Sequence, residues 1–259
     1  MILVGGRHYA SAFRQYLNKT EYVSLDIFCS KKFIFKSDEP IVVFASPFLA
    51  AKKYQSNFNI LKHHEDTLFE NFKSQDVIFL SSASVYGLSK QEQPFDESSD
   101  LNGKSNYALE KLYFENLIRD ACANTISIRA SGFFGEALGF SPTSFANNLK
   151  MDIQTKNTSV YDIDFCGEQI RDFTYINDII ELISHLVKNF PTGHVIYNYS
   201  STEPIHIKNL VRWVSDRHKN IAFNFIENST PKKHSSLDTK KIRKIGVNIK
   251  PRNILTFLK

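Results

Sequence analysis

DVIFLSSASVYG (residues 76–87) sets four consecutive apolar residues, Val77 to Leu80, ahead of a hydroxyl cluster and a glycine. The hydroxyls are Ser81, Ser82, Ser84 and Tyr86. A short apolar run without alternation marks a strand buried on both faces. Such strands belong to parallel sheets covered by helices on either side. In an open parallel sheet, ligands lie outside the carboxyl ends of the strands. The hydroxyls therefore stand where a ligand would be met.

The same grammar extends outward. MILVGG, PIVVFAS and TISIRAS are further buried-strand runs, EYVSLDIF is a second strand in chain order, and KKFIF is a short third. YASAFRQYLNK, YQSNFNILKHHEDTLFENF and SNYALEKLYFENLIRDACAN carry helical spacing between them. The order predicts an α/β protein with a Rossmann-type doubly wound parallel sheet. The second half is more mixed, with loops around 136–144, a strand near Ser159–Tyr161, helices near 177–189 and 206–219, and a Lys-rich segment around 231–244. The segments to inspect follow the strands: GGRHYAS, Asp26, ASPF opening at Ala45, SSASVYG and ASGFFG.

With 259 residues, the chain fits one large domain or two closely joined lobes. Its net charge of +5 comes without a run of five basic residues, which argues against a nucleic-acid arm. The cysteines, Cys29, Cys122 and Cys166, are scattered, form no zinc spacing and suit a reducing compartment. No apolar stretch approaches the ~18–20 residues of a membrane span. No secretory signal pattern opens the chain. A cytoplasmic protein without membrane contact is expected.

Tyr107 and Lys111 sit four residues apart in SNYALEK, so a helix puts them on one face. An ammonium beside a phenol favours the phenolate and lowers its pKa from about 10. A phenol tuned in this way exchanges a proton with an alcohol oxygen near neutral pH. The hydroxyl of Ser82 can hold the same oxygen. Taken by itself, Y-x-x-x-K also fits an ordinary amphipathic helix with a surface lysine.

The pieces together resemble the NAD-dependent epimerase/dehydratase family of extended short-chain dehydrogenases/reductases, which act on nucleotide-linked sugars. FLSSASVYG, PFDESSDLNGKSNYALEKLYFENLI, SIRASGFFG, GEQIRDFTYINDII, YNYSSTEPIHIKNLV and LDTKKIRKIGVNIKP each resemble a family segment, in order, from about residue 40 onward. The resemblance implies that Tyr107 is the general acid/base. It implies that Lys111 lowers the Tyr pKa and bonds the nicotinamide ribose. Ser82 would hold the reacting oxygen and Ser84 would face the substrate. Arg171 would contact the substrate diphosphate, or pair locally with Asp172 or Glu168. Asp178 is expected to cap the following helix. Residues 1–135, with returning segments at about 160–200, would form the dinucleotide-binding lobe, and 136–259 mainly a smaller substrate-binding lobe.

Departures from the family pattern narrow the activity. Ala83 and Ser84 replace the Asp-Glu of 4,6-dehydratases, so dehydration is not expected. The family's N-V-Y-G turn reads G-F-F-G, and PKKH, with Lys232 and Lys233, stands where an arginine is common. LVGGRHYAS is about two residues shorter than the family's glycine loop. Gly5 and Gly6 keep the turn, Ala10 can take the packing position, and Arg7 can add a charge at the helix N-terminus. An ordinary strand-to-helix corner is the competing reading. Asp26 stands where an acid accepts bonds from the adenosine ribose and favours NAD, while nearby Lys31 and Lys32 would favour NADP. The balance leans to NAD. Ala45 completes the cofactor candidates. The chain is shortened between strands 2 and 4, which predicts a weakly held cofactor.

The leading expectation from sequence is a 4-ketoreductase of a nucleotide-linked deoxysugar using exchangeable NAD(P)H. A C4 epimerase with retained NAD uses the same residues, and a non-catalytic binding protein is the third reading. The resemblance also implies a homodimer through helices at roughly 105–123 and 54–72.

Overall fold

The computed structural model describes residues 2–5, 12–13, 21–28, 41–44, 65–73, 75–90, 92–136, 144–164, 167–226, 234–247 and 252–259. Among these, the first half supplies strands β1 (Ile2–Val4), β2 (Glu21–Val23), β3 (Ile41–Phe44), β4 (Asp76–Ser82) and β5 (Asn124–Ala130). Helices α1 (Leu25–Phe28), α2 (Glu65–Phe72) and α3 (Asn106–Ala121) lie between them. The second half adds β6 (Gly132–Phe134), α4 (Phe145–Thr155), β7 (Ser159–Asp164), β8 (Ile170–Arg171), β9 (Phe173–Tyr175), α5 (Ile176–Lys188) and β10 (His194–Tyr199). It closes with β11 (Ile205–His206), α6 (Ile207–Arg217), β12 (Ile221–Ile226), α7 (Lys240–Arg243) and α8 (Ile254–Leu258).

Six strands form one parallel sheet in the order β10-β5-β4-β3-β1-β2. Along β4, Ile78 and Leu80 enter one core while Val77 and Phe79 enter the other. The strand alternation of side chains thus buries every position of the run, because both faces are covered. Phe114, Leu117 and Ile118 of α3 and Leu68 and Phe72 of α2 cover one face. The apolar stripe of α5, with Ile176, Ile179, Ile180 and Ile183, covers the other. At roughly 1.5–3 kcal/mol for each fully buried aliphatic side chain, that stripe is a principal attachment of α5. This is the doubly wound α/β architecture. A third core, around Leu149, Leu210, Val214, Ile221 and Phe257, belongs to the second half of the chain.

Two sequence expectations change here. EYVSLDIF is not one strand, for β2 stops at Val23. Ser24 then turns the chain into α1 by accepting from the Ile27 N–H through Oγ (3.4 Å) and from the Phe28 N–H through its carbonyl (3.0 Å). Asp26 thereby falls within a short helix rather than at a strand end. Asp178 does not cap α5, which has Tyr175 at its N-cap and no side-chain cap bond. It pairs with Arg252 at 2.6 Å instead, tying the C-terminal segment to the first turn of that helix. KKFIF, Ala10, Lys31, Lys32, Lys232 and Lys233 lie outside the described residues, as does residues 54–64 of the long helix expected at 54–72. Among the described residues, no helix is long and apolar enough to cross a membrane.

Candidate active site

β4 delivers Ser82 to the carboxyl edge of the sheet, and a single 3-10 turn, Ala83–Tyr86, follows at once. Ser82 caps that turn, its Oγ accepting from the Ser84 N–H at 3.2 Å. Two glycines then allow a tight return. Gly87 has φ +76, and an added Cβ would lie 2.8 Å from the Asn102 carbonyl oxygen. A Cβ on Gly103 would lie 2.3 Å from the Ser84 carbonyl oxygen, and the Gly103 N–H donates to the Val85 carbonyl at 2.9 Å. Ser105 caps α3 by accepting from the Ala108 N–H at 3.1 Å. Tyr107 is therefore in the first turn of α3, with Lys111 one turn on.

The structure brings Ser82, Tyr107 and Lys111 together. The Lys111 Nζ donates to the Leu80 carbonyl at 2.8 Å and lies 5.6 Å from the Tyr107 ring centre. It also sits 4.9 Å over the Phe79 ring. Burial lowers the Lys111 pKa to about 8, with the charges of Glu110 and Glu115 opposing the fall. Tyr107 keeps 39% of its surface exposed, yet burial of its titrating end pushes the phenol up to about 12. A hydrogen bond with the Ser82 side chain pulls it back down, and Glu110 adds to the rise. The phenol is thus raised rather than lowered in this structure, because desolvation outweighs its polar neighbours.

Ser82 and Ser84 line a cleft of about 1010 Å³ whose other walls include Lys104, Arg171, Asp172 and Ser235. Arg171 does not pair with Glu168, which bonds Lys208 at 2.8 Å. Nor, among the described residues, does any carboxylate come within ion-pair distance of it. Its Nε and Nη2 donate to Gln169 Oε1, the former at 2.9 Å. Burial lowers the Arg171 pKa, while the nearby charges of Asp172 and Asp164 act against that. Asp172 is 4% exposed, and burial raises its pKa to about 7. Its Oδ2 accepts from the Leu237 N–H at 2.8 Å.

Lys104 and Ser235 are not singled out by the sequence, and Asp172 enters it only as a local partner for Arg171. Asp172 follows Arg171 directly, so alternation alone could have suggested a different environment for it. Ser235 reaches the cleft only through pairing with the strand at Arg171.

At the cofactor end, Gly5 closes β1 with φ +71 and donates its N–H to the Val23 carbonyl at 3.0 Å. β1 lies between β2 and β3, so the strand order reverses at this point. Such switch points receive dinucleotides in this architecture. A left-handed residue there turns the chain sharply at the strand end, the kind of turn that a close backbone approach to a dinucleotide needs. Gly6, Arg7 and Ala45, together with the Asp26 side chain, lie outside the described residues.

Known proteins share this design. A UDP-N-acetylglucosamine 4-epimerase from Methanobrevibacter ruminantium M1, solved in complex with UDP-N-acetylmuramic acid, superposes with a TM-score of 0.74 over 99% of this chain and 94% of its own, at 19% identity. MoeE5 in complex with UDP-glucose and NAD also gives 0.74, covering 99% of this chain and 97% of its own, at 15% identity. These likenesses concern the fold. In sequence, the N-acetyl-alpha-D-glucosaminyl-diphospho-ditrans,octacis-undecaprenol 4-epimerase of Escherichia coli O157:H7 is 28% identical over 142 residues, 53% of this chain and 40% of that protein. The chain spans about half or less of the length of the curated relatives it matches. The family model "NAD dependent epimerase/dehydratase family" matches residues 50–199, more than half of the chain and all of the segment from β4 to β10. With that match and its doubly wound sheet, the chain belongs to the NAD-dependent epimerase/dehydratase family.

Proposed function

We propose that the chain is an NAD(P)-dependent enzyme that inverts C4 of a nucleotide-linked sugar, with Tyr107 as its general acid/base. The observation that carries this reading is the convergence of Ser82, Tyr107 and Lys111 at the end of β4, where Ser82 lines the cleft. Oxidising a secondary alcohol requires a base at the oxygen while hydride leaves the carbon. Tyr107 takes that proton and returns it after the sugar has turned over, and Ser82 holds the oxygen meanwhile. Lys111 is charged below about pH 8, and the Ser82 hydrogen bond opposes the effect of burial on the phenol. A bound nicotinamide dinucleotide supplies the hydride acceptor and donor. We assign Gly5, Gly6, Arg7, Asp26 and Ala45 to holding it, with Lys111 at the ribose and NAD preferred to NADP. Arg171, with no carboxylate in ion-pair distance among the described residues, has a planar fork suited to the paired oxygens of a diphosphate. Ser84 faces the same ligand.

Sequence alone favours the 4-ketoreductase, because Ala83 and Ser84 remove the dehydratase option and the trimmed glycine loop predicts a weakly held, exchangeable cofactor. Likeness in sequence to 4-epimerases, at 28% and 29% identity, supports the epimerase instead. One experiment separates the two. The protein is incubated with UDP-glucose, UDP-N-acetylglucosamine and a dTDP-4-keto-6-deoxysugar, with NAD⁺ or NAD(P)H, and products are read by NMR and absorbance at 340 nm. Interconversion of C4 epimers without net loss of NAD(P)H supports the proposal. Stoichiometric NAD(P)H consumption with the keto sugar alone makes it a reductase.

A further inference from the structure

A chain of buried polar groups, unused by this reading of function, runs from β4 to the far wall of the cleft. Arg129 lies on the polar-residue face of β5, in line with Thr125 and Ser127, and is 2% exposed. It grips Glu115 of α3 with two bonds, Nε to Oε1 at 3.1 Å and Nη2 to Oε2 at 2.7 Å. Glu115 also accepts from Ser81, the residue before Ser82. On its other side, Arg129 Nη1 donates to the Tyr86 hydroxyl at 3.0 Å, and that hydroxyl donates to Asn198 Oδ1 at 2.7 Å. Asn198 Nδ2 donates to the Phe95 carbonyl at 2.8 Å. Phe95 in turn holds the segment 236–238, its N–H donating to the Ser236 carbonyl at 2.9 Å and its carbonyl accepting from Asp238 at 2.7 Å. From that segment Leu237 donates to Asp172, and Ser235 donates to the Ile170 carbonyl at 3.1 Å. The chain of bonds begins beside Ser82 and ends on the wall beside Arg171.

The array has one direction. A guanidinium only donates, so the Tyr86 hydroxyl must accept from Arg129 and send its own proton to Asn198. That fixes which way the Asn198 amide faces, and hence its bond to Phe95. Tyr86 is 1% exposed and stacks on Phe95 with ring centres 5.0 Å apart and planes at 8°. A buried ion pair is weak support for stability, because desolvation offsets most of its attraction. What it does well is fix one arrangement of its surroundings.

We propose that the Glu115–Arg129–Tyr86–Asn198 array positions the Asp172–Ser235 wall of the cleft against Ser82, with the Tyr86 hydroxyl as junction, and thereby sets affinity for the nucleotide sugar. The proposal rests on the functional reading above. The four side chains are positioning residues. A role confined to stability would lower the melting temperature and leave ligand affinity alone.

Tyr86→Phe removes one oxygen and keeps the ring stack. Binding of UDP-glucose, UDP-N-acetylglucosamine, dTDP-glucose and NAD⁺ is measured by calorimetry on wild type and variant, beside thermal melts. The dissociation constant of whichever nucleotide sugar the wild type binds is expected to rise about tenfold in Tyr86→Phe. That for NAD⁺ should stay within about twofold. Ser81→Ala, at the other end of the array, covers the case in which Tyr86→Phe does not fold, and is expected to weaken the same ligand about threefold. A folded variant with unchanged nucleotide-sugar affinity overturns the inference while the functional reading stands. Equal weakening of both ligands also overturns it. A wild type that binds neither NAD⁺ nor any nucleotide sugar overturns the functional reading, and this inference falls with it.

Discussion

Asp172→Asn should make the protein more stable at pH 8 than at pH 4, relative to wild type. Asp172 is 4% exposed, and burial lifts its carboxyl from 3.8 to about 7 in the folded chain. The bond from Leu237, the Ser200 side chain and the Arg171 charge all work against that rise and do not cancel it. Between the two values, the folded protein keeps a proton that the unfolded chain has lost. Stability is therefore fully present below about pH 3.8 and lost as the pH rises through about 7. A gap of about three pKa units at 1.36 kcal/mol each sets the loss at about 4 kcal/mol at most. Asparagine does not ionise, and its carbonyl can still accept from Leu237. Urea unfolding of both proteins at pH 4, 5.5, 7 and 8 gives the difference in stability, in which the other carboxylates cancel. The advantage of the variant should grow by about 2–4 kcal/mol from pH 4 to pH 8. A difference flat in pH, or one that grows in favour of aspartate, would show that Arg171 holds the carboxylate ionised and refute the reasoning.

Other expectations follow from the same geometry. Tyr107→Phe should cut turnover by about 10²–10⁴, the range for a lost general acid/base, with little change in melting temperature; retained turnover would refute Tyr107 as the general acid/base. Lys111→Met should lose activity yet be more stable than wild type at pH 7. Burial lowers the lysine from 10.5 to about 8, so the cost of its charge is present below about pH 8 and relieved as the pH rises to 10.5. Denaturation at pH 7 and pH 10 should show that advantage, up to about 3 kcal/mol, shrinking. Gly103→Ala should destabilise by about 1–3 kcal/mol through overpacking against Ser84 and Ala108. Gly193→Ala meets no atom within 4 Å and should cost only the strain of its φ of +77, about 1 kcal/mol; thermal melts rank the two. Glu115→Gln leaves the Arg129 charge buried without its partner and should cost about 3–5 kcal/mol, most of it recovered in Glu115→Gln/Arg129→Met.

Much of the site was legible because it is local. The apolar run of β4 places Ser82, and helix geometry places Lys111 one turn beyond Tyr107, so spacing alone aligns them. Arg171 could be read from its segment, though not its choice of Gln169 over Glu168, which depends on Lys208 reaching across from α6. The raised phenol of Tyr107 was missed because helix spacing says nothing about desolvation. The wall that Asp172 and Ser235 form escapes the sequence for a different reason. They meet only when residues 234–238 pair with distant segments near Ser89, Phe95 and Ile170, and no short window holds that information. Arg129 leaves a trace only in burial: a charge on the polar positions of a buried strand, in line with Thr125 and Ser127, calls for a buried partner. EYVSLDIF misled because its apolar pattern continues past Ser24, where a single side-chain bond ends the strand.

The place of β10 in the sheet bears on how the chain leaves the ribosome. β5 is complete at Ala130, but its outer edge pairs with residues up to Tyr199, synthesised about 70 residues later. At 5–20 residues per second, that edge stays open for roughly 4–14 s during translation. It is a parallel-pairing strand edge of the kind that templates aggregation. Arg129 sits within it, so the charge that later anchors a buried network can serve the nascent chain as a gatekeeper against pairing with its neighbours.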